Sequence, residues 1–497
     1  MKKILIRSGW LIFFIIFPFV VSYAKGPDDL IEKITSYPTP KDGWNIYIGS
    51  VKLSCDSKHY ACVARNENDY CIIYDGKKGK VYDQISADSP IFYPGSGEVF
   101  YKAKKGSKWH LVIGEDEQKE YEGIGPIYAN SDASRVAYIV ARGNKKVVVI
   151  DGKESRRYDA IDAKSGVVFS KDSKRYAYAA TIDGKISVID NGKEHKGYDD
   201  VLRIVLSPDS SRLVYGVKDE NGWFVVVDNM EGKRYRAVAD ILISPDSQNV
   251  AYVARKGSTT RMIVNDDESS SYDICSAGVF SPDSKRFAYL AIREEKWFIV
   301  LDGKKGQDFE EIGYLTFSGD SKHFAFTARK DNKWFVVIDG KIQKQMYDSI
   351  PYFSYAVGYG DTLVYSIKSG EDWFVVMDGK PGKRYDQVSI PQLSPDNNHM
   401  YYMARKDKKW MVVMDGKESK GYDGVSMPRF TPDSKHLAFI VQNMGQWYIN
   451  IDGKEGMDRF AAFVRGSRLD FDTPTHLSTW VFQFPDMTIG KYEVTIE

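Results

Sequence analysis

SPDSKRFAYLAIREEKWFIVLDGKKG, residues 281 to 306, returns as SGDSKHFAFTARKDNKWFVVIDGKIQ, residues 318 to 343. Asp172, Asp209, Asp246, Asp283 and Asp320 hold the same place in this phrase at a constant spacing of 37 residues, and a fixed period of that size marks a repeat architecture. Within one copy the apolar residues alternate instead of following a helical period. Residues 277 to 312 read as a short apolar run, an SPDSK turn, the strand RFAYLA, a REE turn, the strand KWFIVLD, a GKKG turn and the strand QDFEEI. Four strands in so short a unit leave no room for a helix. Pro presets φ in the first turn and Asp or Ser bonds back to the backbone. Asp-Gly, at 75–76, 151–152, 302–303, 339–340, 378–379, 415–416 and 452–453, supplies the positive φ of a tight hairpin.

Drifted copies extend the array in both directions, from LSCDSKHYACVA at Leu53 to LDFDTPTHLSTW at Leu469, making twelve in all. A single four-stranded meander cannot bury both faces, so the copies must stack around an axis, which predicts an all-β fold of twelve β-propeller blades. Trp109, Trp223, Trp297, Trp334, Trp373, Trp410 and Trp447 recur before the third strand. A residue copied into so many blades reads as packing between them, and the recurring Tyr-Asp pairs, such as Tyr158-Asp159 and Tyr385-Asp386, read the same way.

LSPDSSRLVYGV and FSPDSKRFAYLA resemble the WD40-like, PD40-type repeats of the TolB propeller family, over nearly all of the chain after its first residues. The resemblance implies a propeller, with six blades to a ring, and a role in protein contacts. Twelve blades exceed the usual four to eight, so two six-bladed propellers in tandem are expected: residues 1–24 a leader, 25–42 an N-terminal segment, 43–267 the first propeller and 268–497 the second. GWNIYIGS, residues 43 to 50, reads as an orphan fourth strand closing the sixth blade. The serine-rich NDDESSSYD, residues 265 to 273, reads as the crossover, with the sixth copy's own fourth strand passing on to the twelfth.

The N-terminus places Lys2, Lys3 and Arg7 before an apolar run from Trp10 to Val21 and then Ser22-Tyr23-Ala24, the layout of a secretory signal peptide cleaved after Ala24. The run is shorter than the roughly 20 residues of a membrane span, and no Cys near the site offers a lipid anchor. The expectation is a periplasmic or secreted protein without membrane insertion after cleavage. Cleavage would leave 66 basic against 68 acidic residues, a balance that gives nucleic acid no basic surface to bind. Cys62 and Cys71 flank VARNENDY; equal spacing about that turn would set them opposite each other, within reach of a disulfide. Two buried thiols, or a Cys55–Cys62 bridge, are the alternatives, and Cys275 has no evident partner.

Chemistry should stand out against the repeat, and little does. His59, His323, His399 and His436 occupy a position that other copies give to Arg or Gln; on separate blades they cannot gather a metal. No zinc-type His spacing, Gly-x-Ser-x-Gly elbow or phosphate-cradling loop occurs, so neither cofactor nor metal nor catalytic residue is expected. Reading down the innermost strands gives Ser89, Gly125, Gly166, Arg203, Asp240, Ala277, Tyr314, Ile350, Ile390, Met427 and Gly466, mostly small or apolar. Arg203 and Asp240 on neighbouring blades, with Tyr314, Tyr352, Gln392 and Arg429 on the other half, are the exceptions. An Arg–Asp pair closing the funnel is the plainer reading; they are also the residues to name for any partner or peptide held at the axis. The function expected is a monomeric, non-enzymatic scaffold binding another envelope or secreted protein. A propeller lyase or glycan-processing enzyme with an axial site is the alternative, and a self-associating structural protein a third.

Overall fold

The computed structural model describes residues 20–25, 30–37, 43–93, 95, 97–162, 164–276, 278–356, 362–483 and 488–496. They form twelve antiparallel sheets, one per repeat, and a single helical turn, Ile48–Ser50. Blade 5 shows the plan: an inner strand Asp200–Leu206, then Leu213–Asp219, Gly222–Val227 and an outer stub Met230–Glu231. The fourth strand is shorter than the alternation suggests. In blade 7 it is Lys304–Lys305, after which the chain bows out and rejoins the sheet through one bridge, Trp297 to Phe309; the acidic residues beyond that bridge open the inner strand of the next blade, Glu311–Phe317.

The turns behave as their residues require. At Asp302-Gly303 both φ values are positive, 51° and 76°, the geometry of a type I′ hairpin that Asp-Gly tolerates. In the SPDS turn of blade 5 the Ser207 hydroxyl donates to Asp209 Oδ1 (2.5 Å) and accepts from the Arg212 amide (2.9 Å), while the Asp209 amide donates to the Ser247 hydroxyl of the next blade at 3.1 Å. One motif therefore folds its own turn and ties it to the neighbour. The histidines that follow these turns pair with the aspartate of their own Asp-Gly hairpin: His59 with Asp75 and His436 with Asp452 at 2.6 Å, His323 with Asp339 and His399 with Asp415 at 2.7 Å. Arg135 and Arg286 do the same with Asp151 and Asp302, and Arg212 pairs with Asp228 of its Asp-Asn hairpin.

The core lies between blades. Twelve buried apolar clusters each join two successive blades, and Trp223, Trp297, Trp334, Trp373 and Trp447 pack against five of them, as expected of that column. At six interfaces a Lys-x-Tyr unit clasps a glutamate on the next outer strand. The buried tyrosine hydroxyl donates in the pairs Tyr82–Glu117 (2.6 Å), Tyr121–Glu154 (3.2 Å), Tyr198–Glu231 (3.1 Å), Tyr235–Glu268 (3.0 Å), Tyr385–Glu418 (2.9 Å) and Tyr422–Glu455 (3.0 Å). Lys80, Lys119, Lys196, Lys233, Lys383 and Lys420 reach the same carboxylates at 2.7 to 3.9 Å.

Closure corrects the expected two rings. Asn45–Ile46, inside the predicted orphan strand, pairs with Tyr60–Asn66 as the innermost strand of blade 1. Asp267–Glu268 pairs within its own blade 6, so no crossover occurs there. Blade 6 packs directly on blade 7, Ala251 and Met262 against Tyr289 and Phe298, across the expected boundary at 267 and 268. The strand that joins the ends is Leu30–Tyr37, which runs antiparallel to Thr488–Ile496 along its whole length. Blade 12 then packs on blade 1 through Trp480, Phe482, Tyr60 and Cys62. The packing makes one circuit of twelve. Residues 1–19 of the expected leader lie outside the described residues; Val20–Lys25 adds a further strand beside Leu30–Tyr37. No helix among the described residues is long and apolar enough to cross a membrane.

The cysteine pairing is also corrected. The hairpin turns on Glu67-Asn68, so Cys62 faces Ile73 and Cys71 faces Ala64. All four cysteines are free thiols. Burial pushes Cys62 up to about 12 and Cys71 up to about 11.

Candidate binding site at the inner strands

Every inner strand is interrupted. In blade 5 Val201 faces Val217 and Ile204 faces Tyr215, leaving Leu202 and Arg203 opposite Gly216 alone. That is a β-bulge, which bends the strand and re-aims side chains. Gly216 makes room for it: a Cβ there would stand 3.1 Å from Leu202 Cβ. The same shift occurs at 239–242, 312–315, 349–352 and 426–429. The column read from the sequence is therefore the bulge position, and at four of its places the backbone is left-handed. Gly166, Asp240, Met427 and Gly466 have φ of 60°, 52°, 54° and 87°, where Gly and Asp are the residues best tolerated. Ala277 lies outside the described residues.

The six candidate residues sit on six different blades. Arg203 is exposed and lines a hollow of about 620 Å³ with Lys164, Ser165 and Asp200. Asp240 is exposed on the next inner strand. Tyr314, half exposed, donates its hydroxyl to the Pro351 carbonyl of blade 9 at 2.8 Å, and its amide donates to the Thr327 hydroxyl at 3.1 Å. Arg429 bonds the Leu469 carbonyl (2.8 Å) and the Asp470 carboxylate (2.5 Å) of blade 12. Tyr352 and Gln392, on blades 9 and 10, share a hollow of about 370 Å³ with Pro391, Pro395 and Asn397.

Tyr352 and Gln392 are thus brought together, whereas the six as a group are not. Facing sheets pack roughly 10 Å apart. Twelve inner strands spaced about 8 to 10 Å stand on a circle about 30 to 40 Å across, against about 16 to 20 Å for six. A funnel that would gather these residues in a small ring becomes a broad opening lined by them one at a time.

The sequence column passed over one buried charge beside the inner strands. Lys102, on the second strand of blade 2 and only 7% exposed, pairs with Asp88 at 2.5 Å and reaches the Gly125 carbonyl of blade 3 at 3.4 Å. Burial alone would raise the Asp88 carboxyl, but the Lys102 ammonium and the Ser86 hydroxyl hold it below its ordinary value. A lysine inside the apolar run VFYKA is the signal that marks it. Among the described residues no group of His, Cys, Asp and Glu is arranged to hold a metal ion.

No family model and no curated protein matches the chain. Solved structures do, at low identity. TolB from Acinetobacter baumannii is 14% identical with a TM-score of 0.23, over 51% of this chain and 77% of that one. The β-propeller domain of the Trilobed protease from Pyrococcus furiosus is 12% identical with a TM-score of 0.25, over 57% and 95%. The dihydro-heme d1 dehydrogenase NirN is 13% identical with a TM-score of 0.30, over 57% and 72%. The propeller fold itself is established by the strand pairing.

Proposed function

We propose that this protein is an exported propeller scaffold that binds another envelope or secreted protein, or an extended segment of one, at the inner-strand opening, and that it is not an enzyme. The observation that carries the reading is the hollow shared by Tyr352 and Gln392. It sets a phenol, an amide and two prolines side by side on adjacent bulged strands, and aromatic groups with adaptable hydrogen-bonding neighbours are the usual makings of a protein contact. Arg203, Asp240, Tyr314 and Arg429 extend the same face around the opening. The leader reading fits the last blade: cleavage after Ala24 would remove most of Val20–Lys25 and leave that blade the four strands its neighbours have. The protein is read as a monomer with no nucleic-acid partner.

The test is site-specific photo-cross-linking from positions 352 and 392 in native envelope, with the outer-strand position 230 as control. The expected result is one cross-linked protein from both inner positions, absent from position 230 and lost in the Arg203→Ala, Asp240→Ala, Tyr314→Ala variant if the contact spans the opening. Adducts equal at all three positions would reject the site. Intact mass of the exported protein checks the leader, with an N-terminus at Lys25 expected.

A further inference from the structure

One interface departs from the clasp in all three of its members. Between blades 7 and 8, where Lys, Tyr and Glu stand at six other interfaces, the chain has Gln307, Phe309 and Ile342. Ile342 faces Val337, as Glu231 faces Val226 and Glu418 faces Val413, so the replacement is in register. Among the described residues no side-chain hydrogen bond joins Gln307, Phe309 and Ile342, and a cavity of about 440 Å³ opens there, floored by Ile299, Phe309, Phe324, Phe326 and Val337. Each of these is at most 6% exposed. The volume falls within the range of small-molecule sites.

The charged side chains that line the cavity are lysines. Lys304 and Lys305 line it, and Lys341 is the chain neighbour of the lining residue Gly340. Lys305 is engaged, pairing with Asp308 at 2.8 Å with its ammonium 4.4 Å from the Phe298 ring centroid. Lys304 and Lys341 are exposed and have no ion pair among the described residues, whereas the lysines of the intact clasps each have a glutamate. An apolar cleft beneath unneutralised ammonium groups is complementary to an amphipathic anion: the floor removes a hydrocarbon chain from water and the rim meets a carboxylate.

We propose that the cleft between blades 7 and 8 binds a single-chain alkyl carboxylate, tail against Phe309 and Phe326 and head between Lys304 and Lys341. This site is separate from the inner-strand opening and does not depend on that reading.

The test is calorimetric titration of the whole protein with hexanoate, octanoate, decanoate and dodecanoate below their micelle concentrations. A fully buried methylene strengthens binding about fourfold. Successive members differ by two methylenes, so affinity should rise by about 4-fold per member if these are half buried and by up to about 16-fold if fully buried, until the cavity is full, and then level off. Decanol should bind several-fold more weakly than decanoate. The Lys304→Gln, Lys341→Gln variant, altered only at the surface, should erase that difference. The Gln307→Lys, Phe309→Tyr, Ile342→Glu variant rebuilds the clasp and should abolish saturable binding. The proposal is overturned by no saturable binding in the series, by equal affinity for decanol and decanoate, or by unchanged binding in the surface variant. Saturation by an acidic, apolar peptide where the carboxylates fail would also overturn it, in favour of a protein segment.

Discussion

The closing strand can be tested at one buried carboxylate. Glu32 is fully buried; it accepts from the Tyr492 hydroxyl and from the amides of Met457 (2.8 Å) and Asp458 (3.3 Å). Glu32→Ala would strand the Tyr492 hydroxyl, itself 0% exposed, while the Met457 amide, on an exposed residue, can turn to water. A buried donor left without its partner costs about 1 to 3 kcal/mol, and the loss of charge-assisted bonds brings the total to about 2 to 4 kcal/mol. Adding Tyr492→Phe removes the stranded donor, so the double variant should recover about 1 to 2 kcal/mol of what two independent losses would sum to. Lys33→Ala on the same strand, whose partner Glu493 is 3.7 Å away at the surface, should change stability by less than about 0.5 kcal/mol. Urea titration followed by tryptophan fluorescence suits the question, because Trp480 is fully buried at this junction and its indole N–H donates to the Ser57 carbonyl of blade 1 at 2.5 Å. If Glu32→Ala and Lys33→Ala unfold at the same urea concentration, the closing role of residues 30–37 is refuted.

Three further outcomes are expected. Cys62 and Cys71, buried and held well above the ordinary thiol range, should be inert to a thiol reagent at pH 8 in the native state. Reductant should leave the unfolding midpoint unchanged, and a reductant-dependent shift would contradict the free-thiol assignment. The Lys196 ammonium and the Arg234 guanidinium lower Glu231 to about 2. A carboxyl depressed on folding stabilises above its unfolded pKa, near 4.5, and that contribution disappears as pH falls through about 2. The thermal midpoint should decline over that window, and less steeply in Glu231→Gln; parallel curves would reject the pairing. The hairpin at Glu294-Glu295 holds two non-glycine residues at φ of 52° and 61°. Glu294→Asn with Glu295→Gly should stabilise by about 1 kcal/mol, read as a higher melting temperature, and a lower one would show that their side chains matter more than their backbone.

The sequence was most legible where a residue has one local task. Asp-Gly marks the hairpins, SPDS marks the turn before the second strand, and the axial column coincides with the bulges. It was less legible where a global quantity decides. Whether blades close after six or after twelve depends on the small angle between neighbours, which no motif spells out. LIEKITSY, residues 30 to 37, carries none of the repeat's punctuation, since it supplies a full-length outer strand where most blades use a two-residue stub and only blades 2 and 4 have six residues. Cys62 and Cys71 miss each other by two positions because the turn centres on Glu67-Asn68, one residue beyond the middle of the segment between them. The candidate residues lie on the inner strands, but their convergence was tied to a six-bladed ring. Tyr352 and Gln392, on adjacent blades, stay beside one hollow whatever the number of blades.

The strand that seals the circle is among the first made and the last to find its place. Tyr492 lies 460 positions beyond Glu32, and at about 5 to 20 residues per second their meeting waits roughly half a minute or more of synthesis. Throughout that time the growing chain is an open arc: blade 1 has no neighbour behind it, and residues 30–37 leave open the edge that Thr488–Ile496 will take. Such edges recruit other chains. The hazard in making this protein is therefore a matter of order in time, concentrated at the beginning of the chain and relieved in one step by its end.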